Sequence, residues 1–160
     1  MITAATPADA DAIWALLEPV FRAGETYAVD PGIDRAAALS LWTAAPACAF
    51  LARAGDGRVL GTCYVKPNGG GPMGHVANAG FVTGAAAQGR GTARAMLDHV
   101  LDTARAAGYR AMQFNAVFAT NHRALRLWRS AGFEIVGRLP GAVLHPTEGV
   151  SDALVMYRTL

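Results

Sequence analysis

The chain has 160 residues, 52% of them hydrophobic and 16% charged, with a formal net charge of +2. This length predicts one domain, residues 1–160, whose core needs no metal or disulfide support. No apolar run approaches the roughly 18 residues that span a membrane, and the N-terminus lacks a secretory signal pattern, so we expect a cytoplasmic protein without membrane contact. Cys48 and Cys63 have no metal-ligand spacing and are expected to be buried free thiols, and no metal site is expected.

The first half of the chain predicts a short strand, two helices and a pair of strands. In order, these elements cover residues 2–5, 9–23, 33–45, 47–54 and 59–66. The last two strands are joined by Gly55-Asp56-Gly57, a turn typical of hairpins. A glycine-rich loop over 67–74 then leads to the second half.

The second half alternates strands with amphipathic helices and ends in two strands. In order, the pattern predicts a strand at 75–83, a helix from 93 that closes at Gly108, a strand at 111–117, a helix at 121–131 and strands at 133–143 and 153–159. The whole order, β-α-α-β-β-β-α-β-α-β-β, predicts an α/β fold with a mixed sheet and helices on both faces.

A glycine-punctuated turn joins the strand at 75–83 to the following helix, and its sequence is Gln88-Gly89-Arg90-Gly91-Thr92-Ala93. Unpaired N–H groups at a helix N-terminus attract phosphate, because the helix dipole is positive there. Gly89 and Gly91 lack the Cβ atoms that would keep a diphosphate from the backbone. The turn therefore predicts an anion site, and seven arginines against two acidic residues between 88 and 129 concentrate positive charge around it.

The spacing of the glycines and the residues beside them distinguishes the phosphate-binding families that use such a turn. A Walker loop needs Gly-Lys-Ser/Thr, and a dinucleotide fingerprint needs a small residue where Arg94 stands. The remaining pattern, Gln/Arg-x-x-Gly-x-Gly/Ala, matches Gln88, Gly91 and Ala93. It resembles the acetyl-CoA pyrophosphate loop of the GCN5-related N-acetyltransferases. The segment 121–134, NHRALRLWRSAGFE, is similar to the second motif of that family, Asn-x-x-Ala-x-x-Leu-Tyr-x-x-x-Gly-Phe.

This resemblance implies a GNAT fold, a mixed and mostly antiparallel sheet with a splayed central strand, and acetyl-CoA as cosubstrate. It implies cofactor contacts from the splayed strand, the turn and the second motif: Phe81, Val82, Thr83, Gln88, Gly89, Arg90, Gly91, Thr92, Ala93, Asn121, Arg123 and Trp128. Arg123, Arg126 and Arg129 form a stripe that fits either the 3′-phosphate of CoA or an ordinary solvated helix face.

Several residues are candidates for the proton-transfer steps. Trp128 stands where the family often has a tyrosine that donates to the leaving thiolate, and an indole is no general acid at neutral pH. Tyr64 is a possible substitute, with a core role as the alternative. His75 and Glu25 are candidate bases acting through a water. Cys63 as an acyl-carrying nucleophile is disfavoured, because no basic partner is near it in sequence.

Three asparagines are the candidate acceptor-binding residues. The family's strand order implies that Asn78 and Asn115 meet beside the thioester, where neutral amides could hold a carboxylate or a peptide carbonyl. Asn121 has helix capping as its alternative role. The helix and loop at the N-terminal side add Phe21, Glu25 and Tyr27 as pocket candidates.

Segments 75–81 and 114–121 are also similar to fungal acetyltransferases of toxic proline analogues, which favours a small amino-acid-like amine as acceptor. Acetylation of a protein N-terminus or lysine, and a CoA-binding sensor without transferase activity, stay open as alternatives. Nucleic-acid binding is not expected, because the basic stripe lacks interleaved aromatics. A homodimer through an apolar edge strand at 153–157 is a further possibility.

Overall fold

The computed structural model describes all 160 residues and contains one seven-stranded sheet in the order β1-β2-β3-β4-β5-β7-β6. The strands are β1 Ile2–Ala4, β2 Cys48–Arg53, β3 Val59–Pro67, β4 Val76–Thr83, β5 Ala111–Phe118, β6 Glu134–His145 and β7 Gly149–Thr159. All neighbours are antiparallel except β4 and β5. The predicted mixed, mostly antiparallel sheet is confirmed.

Four helices cover the sheet: α1 Ala10–Ala23, α2 Arg35–Thr43, α3 Thr92–Ala106 and α4 His122–Ser130. Local chemistry explains their limits. The side chains of Asp34 and Asn121 cap α2 and α4 by accepting backbone N–H bonds, and α1 ends at Gly24 in the left-handed conformation. The capping role predicted as the alternative for Asn121 is therefore present.

The helices lie on both faces of the sheet, as predicted. Successive strand residues point to opposite faces, and β3 shows this directly: Cys63 belongs to the larger core beneath α3 and α4, and Tyr64 to the smaller core beneath α1 and α2. Met96, Leu97 and Trp128 fill the larger core. Each face of the central strands is thus buried against its own helix pair.

The parallel pair β4 and β5 separates soon after it begins. Only Val76 with Ala111 and Ala77 with Met112 are paired, and the ladder ends there although both strands continue for about six more residues. The rest of β4 keeps its pairing with β3 up to Thr83. This is the splayed central strand that the family resemblance implied.

Two expectations from the sequence are wrong. β7 lies between β5 and β6, so residues 153–157 form no sheet edge and cannot support a dimer in the way expected. Cys48 is exposed, and only Cys63 is a buried thiol. No helix in the structure is both long and apolar enough to cross a membrane.

Candidate active site

The gap between β4 and β5 leaves backbone groups of β4 without a strand partner. Gly84 donates its N–H to the Leu60 carbonyl of β3. Because an extended chain alternates, Val82 and Gly80 also direct their N–H and C=O groups toward β3. The residues between them, Ala79, Phe81 and Thr83, therefore direct their N–H and C=O groups into the gap. An extended molecule can lie there as an added strand.

One of these residues already has a partner. The Tyr27 hydroxyl, from the loop between α1 and α2, accepts a hydrogen bond from the Phe81 N–H at 2.8 Å and lies 3.0 Å from the Phe81 carbonyl, to which it donates. Burial raises the pKa of Tyr27, and the nearby Tyr64 raises it further, so its hydroxyl stays neutral. Tyr27 thus satisfies both backbone groups of Phe81 from the α1/α2 side.

The turn over residues 88–93, called the phosphate turn below after its predicted role, has an open backbone at both of its glycines. Gly89 and Gly91 have φ angles of 75° and 78°, and an added Cβ on either would meet nothing within 4 Å. Gly91 is the N-cap of α3 and offers no side chain to the free N–H groups of the first turn. Arg123 of α4 donates to the Gln88 side-chain oxygen at 2.6 Å, which joins the two sequence motifs.

A single cavity of about 780 Å³ runs from this turn through the gap to the α1/α2 face. Its lining includes all the predicted cofactor residues except Arg90: Phe81, Val82, Thr83, Gln88, Gly89, Gly91, Thr92, Ala93, Asn121, Arg123 and Trp128. It also includes Tyr27, Tyr64, Asn78 and Asn115. The lining contains the cations Lys66, Arg94 and Arg123 but no carboxylate and no histidine.

Asn78 lies where β4 and β5 begin to separate. Its side-chain N–H donates to the Gln113 carbonyl of β5 at 2.8 Å, and its side-chain oxygen accepts from the Tyr64 hydroxyl at 3.3 Å. Burial raises the pKa of Tyr64, which keeps this donor neutral. The hydrogen bonds hold both side chains at the inner end of the cavity.

Asn115 reaches the same cavity from β5, where the pairing with β7 is irregular between Phe114 and Val117. Its side chain donates to Asn68 at 2.7 Å and accepts from Gln113 at 2.8 Å. Asn78 and Asn115 are thus both linked to Gln113, one through its carbonyl and one through its side chain. The structure brings the two predicted acceptor amides to one cavity.

Trp128 forms an aromatic wall on the α3/α4 side of the gap. Its ring centroid lies 5.1 Å from that of Phe81 and 4.9 Å from that of Phe114. The side chain is 8% exposed. Trp128 therefore shapes the cavity mainly by packing.

Several predicted residues lie outside this cavity. Phe21 is fully buried and packs edge-to-face on Tyr27, so its assignment to the substrate pocket is wrong. His75 is exposed before β4 and contacts the Pro72 carbonyl, and it does not line the cavity. Glu25 lines a neighbouring polar recess of about 290 Å³, and Arg90 is exposed on the turn without lining the cavity. The geometry does not support His75 or Glu25 as the base.

Sequence reasoning missed Lys66 and Arg94. Lys66 pairs with Asn78 across β3 and β4, so both side chains lie on the α1/α2 face, and its ammonium is 4.9 Å from the centre of the Tyr64 ring. Only the strand register shows that Lys66 is a neighbour of Asn78. Arg94 lines the cavity from the first turn of α3, and its position directly after the turn motif was an available signal.

Comparison with known proteins agrees with this geometry. A family model described as the Acetyltransferase (GNAT) family matches residues 11–133. A GCN5-related N-acetyltransferase from Kribbella flavida is 42% identical, and its structure matches with a TM-score of 0.96 over 100% of this chain and 97% of that chain.

The N-acetyltransferase aca1 of Schizosaccharomyces pombe is 35% identical over 98 residues, which are 61% of this chain and 47% of that protein. The match thus spans about half the length of this curated relative. A phosphinothricin acetyltransferase from Sinorhizobium meliloti in complex with acetyl-CoA shares the fold, with 20% identity and a TM-score of 0.87 over 100% of this chain and 88% of that chain.

The fold, the splayed strand pair and the glycine turn before α3 occur together here with a matching family model and a full-length relative above 40% identity. The chain therefore belongs to the Acetyltransferase (GNAT) family, a family of acetyl-CoA-dependent acyltransferases.

Proposed function

We propose that this protein transfers the acetyl group of acetyl-CoA to the amine of a small acceptor, an amino acid or a proline-like analogue. The observation that carries the proposal is the continuous cavity, which has the anion-binding turn at one end and Asn78, Tyr64 and Lys66 at the other. A cosubstrate on the α3/α4 face and an acceptor on the α1/α2 face would meet in the gap between β4 and β5.

The turn and the gap fit acetyl-CoA in three respects. The open backbone at Gly89 and Gly91 suits a diphosphate, and Arg123 and Arg94 add positive charge nearby. The free backbone groups of Thr83, which the arm reaches first from the turn, suit an amide of the pantetheine arm. The exposed Arg123 side chain would contact a phosphate of CoA while it keeps its hydrogen bond to Gln88.

The other end of the cavity favours a small acceptor that carries a carboxylate. Asn78 and Asn115 offer neutral amides, and Lys66 beside Asn78 supplies the one cation at this end. The cavity lining has no Asp or Glu that would attract a basic peptide. An amino acid presents an amine and a carboxylate a few atoms apart, so Lys66 could hold the carboxylate while the amine faces the thioester.

The first experiment is CoA release from acetyl-CoA across a panel of amino acids, proline analogues, aminoglycosides and short peptides. Each amino acid is paired with the amine that lacks its carboxylate, such as azetidine-2-carboxylate with azetidine. The native protein is compared with Asn78→Ala and Lys66→Met, and acetyl-CoA binding by each variant is measured by calorimetry. Tyr109→Phe, a half-buried tyrosine outside the cavity, is the control.

We expect turnover on one amino-acid-like amine, a large loss in Asn78→Ala and unchanged acetyl-CoA binding in both variants. Lys66→Met should raise KM for the amino acid roughly tenfold or more and leave KM for the decarboxylated amine unchanged. Turnover of peptides with free N-termini but of no free amino acid would favour the protein acceptor instead. Tight acetyl-CoA binding without turnover on the whole panel would favour the sensor hypothesis.

A further inference from the structure

The Phe81 N–H already donates to an oxygen atom in this structure, and that oxygen belongs to Tyr27. Phe81 lies between Thr83, near the phosphate turn, and Asn78, where β4 and β5 meet. A pantetheine arm that starts at the turn and runs along β4 passes Thr83 first, so its thioester would lie beyond Thr83, next to Phe81. The position of the Tyr27 hydroxyl therefore marks where a thioester oxygen would find a backbone donor.

Acetyl transfer develops negative charge on that oxygen. The amine nitrogen attacks the thioester carbon, a C–N bond forms, and the carbonyl electron pair moves onto oxygen. The carbonyl then re-forms as the C–S bond breaks, the nitrogen loses one proton to water, and the CoA thiolate takes one proton from water, so the products are the amide and free CoA. Donors aimed at the oxygen lower the barrier because they are in place before the charge appears.

We propose that Tyr27 is a catalytic residue whose hydroxyl and the Phe81 N–H together donate hydrogen bonds to the thioester oxygen. The thioester oxygen takes the acceptor position on the Phe81 N–H, and the Tyr27 hydroxyl turns from the Phe81 carbonyl to the same oxygen. The Phe81 nitrogen and the Tyr27 hydroxyl oxygen are 2.8 Å apart, so one oxygen beside both lies within hydrogen-bond distance of each once the hydroxyl has moved off the Phe81 N–H axis. This inference rests on the proposed path of acetyl-CoA along β4 and is independent of the acceptor.

Aromatic side chains pack around Tyr27 and keep its ring next to Phe81 of β4. Its ring centroid is 5.4 Å from that of Phe21 and 5.9 Å from that of Trp42, both of which are fully buried. Because burial raises its pKa, Tyr27 keeps its proton and acts as a hydrogen-bond donor rather than as the proton source for the thiolate. The other tyrosine of the cavity, Tyr64, is committed to Asn78.

The test is Tyr27→Phe, which keeps the ring and removes the hydroxyl, with Tyr109→Phe as control. Three quantities are measured: the single-turnover rate of acetyl transfer, the Kd of acetyl-CoA and of CoA, and the carbonyl stretching frequency of bound acetyl-CoA labelled with ¹³C at the acetyl carbonyl. The infrared measurement needs no acceptor, so it remains informative if the proposed acceptor class is wrong.

We expect the transfer rate of Tyr27→Phe to fall about a hundredfold, with both Kd values changed less than about threefold. The bound carbonyl band should lie at lower frequency in the native protein than in the variant, a difference that a purely structural role for Tyr27 would not produce. An unchanged rate with an unchanged band would overturn the proposal. Tighter acetyl-CoA binding with an unchanged or faster rate would also overturn it and would make the hydroxyl a placeholder that the cosubstrate displaces.

Discussion

The side-chain amide of Asn78 donates a 2.8 Å hydrogen bond to the backbone carbonyl of Gln113. It does so one residue after the last backbone pair of β4 and β5, Ala77 with Met112. A side chain thus replaces the next rung of the ladder at the point where the strands part. This contact ends the pairing without leaving the carbonyl of the neighbouring strand unsatisfied.

Asn78→Ala should therefore destabilise the fold as well as impair the acceptor site. It leaves the partly buried Gln113 carbonyl and the Tyr64 hydroxyl without partners, and we expect a loss of about 1–3 kcal/mol in the free energy of unfolding. Urea denaturation measures this loss. Asn115→Ala is the matched control, because that side chain is exposed and its partners can turn to water. Equal stability of the two variants would contradict the ladder role of Asn78.

Gly80 is needed for the packing of Tyr64. A Cβ at this position would lie 2.4 Å from a ring carbon of Tyr64 and 3.1 Å from Trp42. Gly80→Ala should push the Tyr64 ring away from Asn78, cost about 1–3 kcal/mol of stability and lower activity. Gly137→Ala in β6 is the control, since its Cβ would meet nothing closer than 3.6 Å. Thermal unfolding and the transfer assay of both variants test the contrast, and two variants of equal activity would contradict it.

Arg123 and Arg126 should differ in their effect on cofactor affinity. Both belong to the arginine stripe of α4, but only Arg123 lines the cavity and contacts Gln88. Arg123→Ala is expected to raise the Kd of acetyl-CoA roughly tenfold, and Arg126→Ala to change it less than twofold. Repeating the measurement with dephospho-CoA identifies the phosphate. If the penalty disappears there, Arg123 faces the 3′-phosphate, and if it persists, the diphosphate.

The two thiols should react very differently. Cys48 is exposed, whereas Cys63 is fully buried, and burial raises the pKa of the Cys63 thiol to about 12. We expect a thiol reagent at pH 8 to modify one cysteine in the native protein and two in urea, with peptide mapping assigning the first to Cys48. Acetylation of Cys63 by acetyl-CoA in the native protein would contradict this prediction.

Alkaline pH should lower stability through the same buried groups. The folded state raises the pKa of Cys63 above the ordinary thiol value, and it raises the pKa of Tyr27 and Tyr64 in the same direction. The stabilisation is complete below the unfolded-state pKa values and is lost as pH rises from about 9 toward the folded-state values. Urea midpoints between pH 8 and 11 measure this slope. Tyr27→Phe should make the urea midpoint less dependent on pH. An unchanged pH dependence in that variant would show that Tyr27 does not contribute to the alkaline loss of stability.

The pH dependence of transfer should follow the acceptor rather than the enzyme. The cavity lining has no carboxylate or histidine to take the amine proton, so the amine must arrive neutral and its proton must leave to water. kcat/KM is expected to rise tenfold per pH unit up to the pKa of the acceptor amine. Two acceptors with different amine pKa values should show breaks at different pH. A break at the same pH with both would indicate an enzyme base.

Contiguous motifs in the sequence were sufficient to predict the cofactor half of the proposed site. Gly89 and Gly91 adopt positive φ angles that depend on the local sequence, so the turn before α3 could be predicted directly. Helix limits set by Asp34, Asn121 and Gly24 were predictable for the same reason. The splayed strand came from the family resemblance, because nothing in the residues of β4 alone specifies where its pairing ends.

The acceptor half could be predicted only in part. Asn78 and Asn115 were predicted from the strand order that the family resemblance implies, but Lys66 was missed because its place beside Asn78 depends on the β3–β4 register. Phe21 was misassigned because an apolar residue near a loop is compatible with both a core and a pocket. Its orientation depends on how α1 packs on the sheet.

The sequence by itself determined the fold class, the phosphate turn and the family, because these depend on short-range patterns and on backbone chemistry. Only the tertiary structure decided which distant side chains meet in the cavity. Tyr27 and Phe81 are 54 residues apart, and Asn78 and Gln113 are 35 apart. Such contacts follow from strand register, loop path and helix packing together, and a shift of one residue in register would turn each of these side chains to the opposite face.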